Sequence, residues 1–306
     1  MSSTALSLDG VSKRYGDFHA VRDVSFSVPA GRICGFLGPN GAGKTSTIRM
    51  ALGLIEPTAG RITVLGSDDA RKVRDRIGFL PEERGLYKRM TPIDAIAFFA
   101  GLKGVADGEG RKRAKAMLEA QGLGPFMTKP IQALSKGMAQ KVQLLSALAH
   151  EPELVVLDEP FSGLDPVNQQ ALEAMIRDIA ARGATVLFST HVMQHAERLC
   201  DRVVLMARGR KVFDGDVAEA RRAAPRALVL EGDLTAEEVA ALPGIGAVTS
   251  ETLPDGCTRY IATLEPGADG QAALKTAFGR DLALKRFEAR EPSLHDAFIV
   301  LTGGQA

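Results

Sequence analysis

The segment Gly38-Pro39-Asn40-Gly41-Ala42-Gly43-Lys44-Thr45 has glycines, a lysine and a hydroxyl at the GxxxxGK[ST] spacing. Glycines there let the backbone curl until consecutive N–H groups converge on one point, at the positive end of the following helix. This arrangement suits a polyphosphate. Lys44 supplies a mobile charge for the β- and γ-phosphates, and the Thr45 hydroxyl can ligate Mg²⁺. A second motif is the run Leu154-Val155-Val156-Leu157-Asp158-Glu159-Pro160, which carries an acidic pair near its end. Its four apolar residues form a central strand, and ligands of open α/β sheets bind at the C-terminal ends of such strands. Asp158 is then placed to hold Mg²⁺ through water, and Glu159 to polarise an attacking water as general base. An isolated Asp-Glu would be a solvated acidic turn, but paired with the phosphate loop it points to catalysis.

Several elements must position these groups. Strand-like segments are expected at 4–8, 20–28 and 32–37, with a helix from about 43 to 54. Residues 91–150 read as mostly helical, beginning with Thr91 as N-cap and Pro92 at N1. From 154 on, strands and helices alternate: strand 154–157, helix from Asp165-Pro166 to about 182, strand 185–189, helix 192–199, then a hairpin at 202–213. That order predicts a mainly parallel sheet with helices on its faces. The run Arg221-Arg222-Ala223-Ala224-Pro225 marks a boundary. Beyond it, strand, helix, strand, strand, helix, strand and a final helix match a ferredoxin-like unit.

The 306 residues, 45% hydrophobic and 25% charged, are enough for about two well-packed domains and argue against disorder. Lys plus Arg total 38 against 37 for Asp plus Glu, a balance that argues against a nucleic acid partner. No stretch reaches the ~18–20 apolar residues of a membrane helix, and no secretory signal is visible at the start. Cys34, Cys200 and Cys257 are odd in number and widely spaced, which fits a reducing, cytoplasmic setting.

Between the two phosphate-site motifs lies Leu134-Ser135-Lys136-Gly137-Met138 at the head of a helix. This segment resembles the signature motif of the ATP-binding subunits of ABC transporters, and the resemblance extends over residues 6–216. It implies an α/β fold: a P-loop NTPase cassette (1–222) with a mixed sheet, an antiparallel β subdomain and a helical subdomain at about 91–150. By the same resemblance Tyr15 stacks on adenine, and Gly38, Pro39, Asn40, Gly41, Ala42, Gly43, Lys44, Thr45 and Ser46 bind the nucleotide. Thr45, Asp158 and Glu82 hold Mg²⁺, Glu159 and His191 are catalytic, and Ser162-Gly163-Leu164-Asp165 joins the halves of a nucleotide dimer. Ser135, Lys136, Gly137 and Met138 form the signature that acts in trans, with Ser135 and Gly137 reaching the γ-phosphate of the opposite subunit. The implied cofactors are ATP and Mg²⁺. The implied partners are a second ATP-binding subunit, as in a homodimer, and a separately encoded transmembrane permease on whose cytoplasmic face the chain sits.

Two departures from the family pattern stand out. Lys136 and Met138 replace a Gly and the Gln of Leu-Ser-Gly-Gly-Gln, and Glu82 in Leu80-Pro81-Glu82-Glu83 replaces a Gln. An ionised carboxylate at 82 ligates a metal but donates no hydrogen bond. Residues 226–306 resemble the accessory domain of drug-, sodium- and polymer-type export ATPases, through Glu291-Pro292-Ser293-Leu294 leading into Asp296-Ala297-Phe298-Ile299. The competing function is a soluble ABC-type mechanochemical ATPase acting without a permease. Such proteins carry two fused cassettes or a long coiled coil, and neither is present in this sequence. Weaker features take structural readings: His191 and His195 lack the Glu of HExxH, Arg111-Lys112-Arg113-Ala114-Lys115 is a solvated helix face, and Phe98-Phe99 is expected in the core.

Overall fold

The computed structural model describes residues 4–83, 85–254, 256–280 and 282–303. Strands β1 (Thr4–Tyr15) and β2 (Phe18–Pro29) form an antiparallel hairpin with Tyr15 opposite Phe18 at its tip. Leu6, Leu8 and Val11 share a buried cluster with Val24, Phe26 and Val28, while the polar residues between them face outward. Both strands are therefore longer than their apolar runs. Next comes β3 (Ile33–Leu37), buried at every position, which leads through the glycine loop into α1 (Lys44–Ala51). After it, β4 (Ala59–Val64) joins the hairpin to complete a three-stranded sheet in the order β2-β1-β4. The short β5 (Ile77–Leu80) belongs instead with β3. Glycines 60 and 78 interrupt the apolar pattern of β4 and β5, so neither is evident from periodicity.

Three helices follow: α2 (Pro92–Gly101), α3 (Asp107–Ala120) and α4 (Lys136–Leu148). Thr91 caps α2 by accepting from the Asp94 amide, and Ser135 caps α4 by accepting from the Met138 amide at 3.2 Å. The buried face of α2 is made of Ala95, Ile96, Ala97 and Ala100. Phe98 is consequently not a core residue. It lies 42% exposed and meets Tyr87 and Phe99 edge to face at 6.0 and 5.5 Å. The basic run on α3 is charge-paired, with Arg111 on Asp94 and Arg113 on Glu109 and Glu151.

The remaining elements of the first unit are β6 (Leu154–Asp158), α5 (Pro166–Ala181), β7 (Thr185–Thr190), α6 (Met193–Leu199), β8 (Arg202–Ala207) and β9 (Arg210–Asp216). The main sheet runs β5-β6-β7-β3-β8-β9, parallel up to β8, with β9 antiparallel. Every residue of β3, β6 and β7 is buried, as expected for strands covered on both faces. Their C-terminal ends lie side by side and deliver Gly38, Asp158-Glu159 and Thr190-His191 to one edge of the sheet.

A second compact unit begins at Ala218, four residues ahead of the end of the cassette as read from composition. Residues of α7 (Val217–Arg221) fall with it because the Arg221 guanidinium donates to the Pro292 carbonyl at 2.6 Å. The unit comprises β10 (Ala227–Asp233), α8 (Ala236–Ala240), β11 (Ile245–Thr252), β12 (Thr258–Leu264), α9 (Gly270–Gly279), β13 (Ala283–Arg290) and α10 (Leu294–Leu301). Its antiparallel sheet has the order β11-β12-β10-β13, a ferredoxin-like arrangement with Leu228, Leu230, Tyr260 and Ala262 in the core.

The head of α10 is a capping box. The Ser293 hydroxyl accepts from the Asp296 amide at 3.2 Å, and the Asp296 carboxylate accepts from the Ser293 amide at 2.9 Å. Burial raises the Asp296 carboxyl, but the Ser293 groups and Arg290 outweigh it and hold it below its ordinary value. A lowered folded pKa means the stabilisation is present above the ordinary carboxylate range and is lost as pH falls through the folded value. Ser293→Ala is expected to cost about 1 kcal/mol of local stability, read as faster amide exchange in α10. Unchanged exchange at neutral pH would show that the cap contributes nothing.

Candidate active site

The loop between β3 and α1 requires glycine at two points. Gly38 has φ +155°, and a Cβ there would lie 2.2 Å from the Met206 carbonyl. Gly43 has φ +98°, and its Cβ would lie 2.5 Å from the Ala20 carbonyl. Both contacts are with backbone, which cannot yield as a side chain would, so the curled loop tolerates no larger residue there. Lys44 is 6% exposed and folds back over the loop, donating to the Gly38 carbonyl at 2.7 Å and the Pro39 carbonyl at 3.2 Å. The same ammonium stands 3.5 Å from Oε1 of Glu159.

Glu159 is 8% exposed and joins several elements. Its Oε2 is 3.0 Å from Nδ1 of His191, just past β7, while its buried Oε1 has no hydrogen-bond partner among the described residues. A buried carboxylate oxygen without a donor is costly, and here the Lys44 charge offsets part of that cost. Ser189 organises the two acidic residues: its hydroxyl donates to Oδ1 of Asp158 at 2.5 Å and accepts from the Glu159 amide at 3.0 Å. Ser189 is not among the residues that sequence motifs single out. The available signal is a hydroxyl inside the wholly buried run 185–190, where every polar atom needs a partner.

The structure thus brings together Lys44, Asp158, Glu159 and His191, with Thr45 beside Lys44 at the start of α1. The Thr45 hydroxyl and the Asp158 carboxylate are hard oxygen donors, the ligand type that suits Mg²⁺. Among the described residues, no group of three or more His, Cys, Asp or Glu could hold a metal by themselves. The Nδ1 atoms of His191 and His195 turn to different carboxylates, Glu159 and Glu173. Glu82 lies exposed beyond β5. Tyr15 is exposed at the hairpin tip, with the Lys13 ammonium 5.1 Å from its ring centroid. Ser135 and Lys136 are exposed at the head of α4, and no hydrogen bond or ion pair links them to the Lys44–Glu159 cluster.

Comparison with known proteins decides the family. The profile described as ABC transporter matches residues 21–162. An uncharacterized ABC transporter ATP-binding protein of Bacillus subtilis, YhaQ, is 37% identical over 97% of this chain and 98% of its own length. The chain belongs to the ABC transporter ATP-binding proteins. A Nod factor export ATP-binding protein I of Burkholderia orbicola is 35% identical over 99% of this chain and 98% of its own length. The solved structure of an ATP-binding subunit of an ABC transporter superposes with a TM-score of 0.66 at 34% identity. It covers 72% of this chain and 92% of that one. The protein is therefore an ABC-type ATPase that binds and hydrolyses ATP as a transporter subunit. Subunits of this family dimerise and work with transmembrane permease components. No helix among the described residues of this ATP-binding subunit is long and apolar enough to cross a membrane.

Proposed function

We propose that two copies of this chain clamp two ATP·Mg²⁺ at their shared interface and energise a separately encoded export permease. The observation that carries this reading is the division of the site. Lys44, Asp158, Glu159 and His191 gather at one sheet edge, whereas Ser135 and Lys136 stand exposed and unconnected to them. A triphosphate held by the first group presents its terminal phosphate outward. The helix N-terminus and free amides of the signature segment in a second copy are suited to receive it.

In this reading the amides of residues 38–46 and the Lys44 ammonium hold the phosphates. Thr45, Asp158 and Glu82 would hold Mg²⁺, which when bound would offset the negative charge of the phosphates. Glu159 takes the proton of the attacking water, and His191 orients that carboxylate through Nδ1. Loss of the γ-phosphate removes the attraction between copies and lets them part. Export is supported by the likeness to proteins named for Nod factor export, which extends through the second unit. The described residues of the second unit carry no cluster of catalytic groups, and we assign it a regulatory or dimer-supporting role. A permease-independent mechanochemical role is not favoured by relatives named as transporter subunits.

Mass measurement in solution tests the clamp. With Mg²⁺ and a non-cleavable ATP analogue, the purified chain should double in mass, and ADP should return it to one copy. A mass that stays single with the analogue at high protein concentration, with and without the permease, overturns the proposal. Tyr15→Ala should weaken ATP and GTP binding alike by about tenfold, because ring stacking does not distinguish bases. An effect confined to ATP in paired titrations would require a hydrogen-bonding account of base recognition.

A further inference from the structure

His195 is a buried titratable residue with no role in the mechanism above. It is 3% exposed, and its ring lies flat on Phe161, with centroids 4.0 Å apart and planes 16° from parallel. Its Nδ1 is 3.0 Å from Oε1 of Glu173, a residue of α5 that is 4% exposed. An ionised carboxylate only accepts, so Nδ1 carries the proton. Glu173 also faces Arg198 at 3.7 Å and Arg177 at 3.9 Å, so its charge is compensated and the imidazole is held in one orientation. Phe161 in turn meets Phe188 of β7 edge to face at 5.8 Å.

Phe161 lies two residues beyond Glu159, and that turn is strained. Glu159 has φ +47°, in the left-handed region that disfavours a residue with a side chain. Such a conformation persists only where the surroundings over-determine it. Contacts from three neighbouring elements help to hold this one. The Ser189 hydroxyl accepts from the Glu159 amide at 3.0 Å, Gln140 Nε2 donates to the Pro160 carbonyl at 3.2 Å, and His195 stacks on Phe161. Residues 191–195 therefore grip the turn twice, His191 at the carboxylate of Glu159 and His195 at the ring two residues on.

We propose that His195, backed by Glu173, is a positioning residue for hydrolysis: it holds Phe161, and through it the strained turn that aims the Glu159 carboxylate. The proposal rests on the reading of Glu159 as general base. His195→Gln keeps an N–H donor for Glu173 but removes the ring. In the full chain its kcat for ATP should fall about thirtyfold, while KM for ATP and Kd for ADP stay within about twofold. His195→Phe combined with Glu173→Leu keeps a flat ring and removes the carboxylate that would otherwise lose its imidazole donor while keeping Arg198 and Arg177. That double variant should recover kcat to within about threefold of the native chain. A change that merely loosened the fold would lower the number of ADP sites per chain, and the ring-bearing double variant would not rescue it. Native kcat in His195→Gln overturns the proposal. So does a double variant as slow as His195→Gln with full ADP stoichiometry, and so does loss of ADP sites in both. Glu159→Gln is assayed alongside. If it alone turns over at the native rate, the general-base reading fails; if it is inactive while His195→Gln is native, only the positioning role fails.

Discussion

Glu159→Gln should bind ATP as the native chain does and hydrolyse it about 10³-fold more slowly. The amide has the size of the carboxylate and keeps an oxygen to face Lys44, which stands 3.5 Å from Oε1. What it loses is the capacity to take a proton from water, and the negative charge that organises His191 at 3.0 Å. Binding should hold or tighten, because a buried negative charge close to the phosphate loop is removed while the loop and Lys44 are untouched. With hydrolysis stalled, ATP itself should do what a non-cleavable analogue does in the native chain, and accumulate the two-copy species. The measurements are phosphate release, equilibrium ATP binding and solution mass on the same preparation. Native phosphate release would remove Glu159 from the chemical step.

The chemistry of this protein is written locally, and that is why so much of it is legible. The phosphate loop is a backbone conformation specified by its own glycines, and contacts at Gly38 and Gly43 with the backbone of Met206 and Ala20 explain why those two admit nothing else. The run 154–158 announces a doubly covered strand, and Asp165-Pro166 announces the helix that follows. Ser189, Phe161 and His195 are different. Their significance comes from what long-range packing sets beside them, and neither spacing nor residue type displays it. Phe98 shows the same limit from the other side. A phenylalanine pair in an apolar helix favours the core, yet α2 packs through alanines and leaves Phe98 outside. In β5 the signal is simply too short: four residues, one of them Gly78, at the edge of a parallel sheet.

Lys44→Ala should weaken ATP binding by about 10²-fold or more, since a charged donor to the phosphates contributes roughly 1.5–3 kcal/mol per hydrogen bond. A second effect is superimposed on that loss. Lys44 is the cation beside the buried Oε1 of Glu159, which has no hydrogen-bond donor among the described residues, and removing it strands a charge that is 8% exposed. Breaking a buried pair from one side costs about 3–5 kcal/mol, so the variant should also melt at a lower temperature. The two effects separate in Lys44→Ala combined with Glu159→Gln. Neutralising the stranded carboxylate should restore thermal stability and leave ATP affinity as poor as in the single variant. If affinity returned with stability, the single variant would have failed through the orphaned charge rather than through lost phosphate contacts. Native ATP affinity in Lys44→Ala, measured by direct titration, would withdraw the phosphate-binding role from the loop.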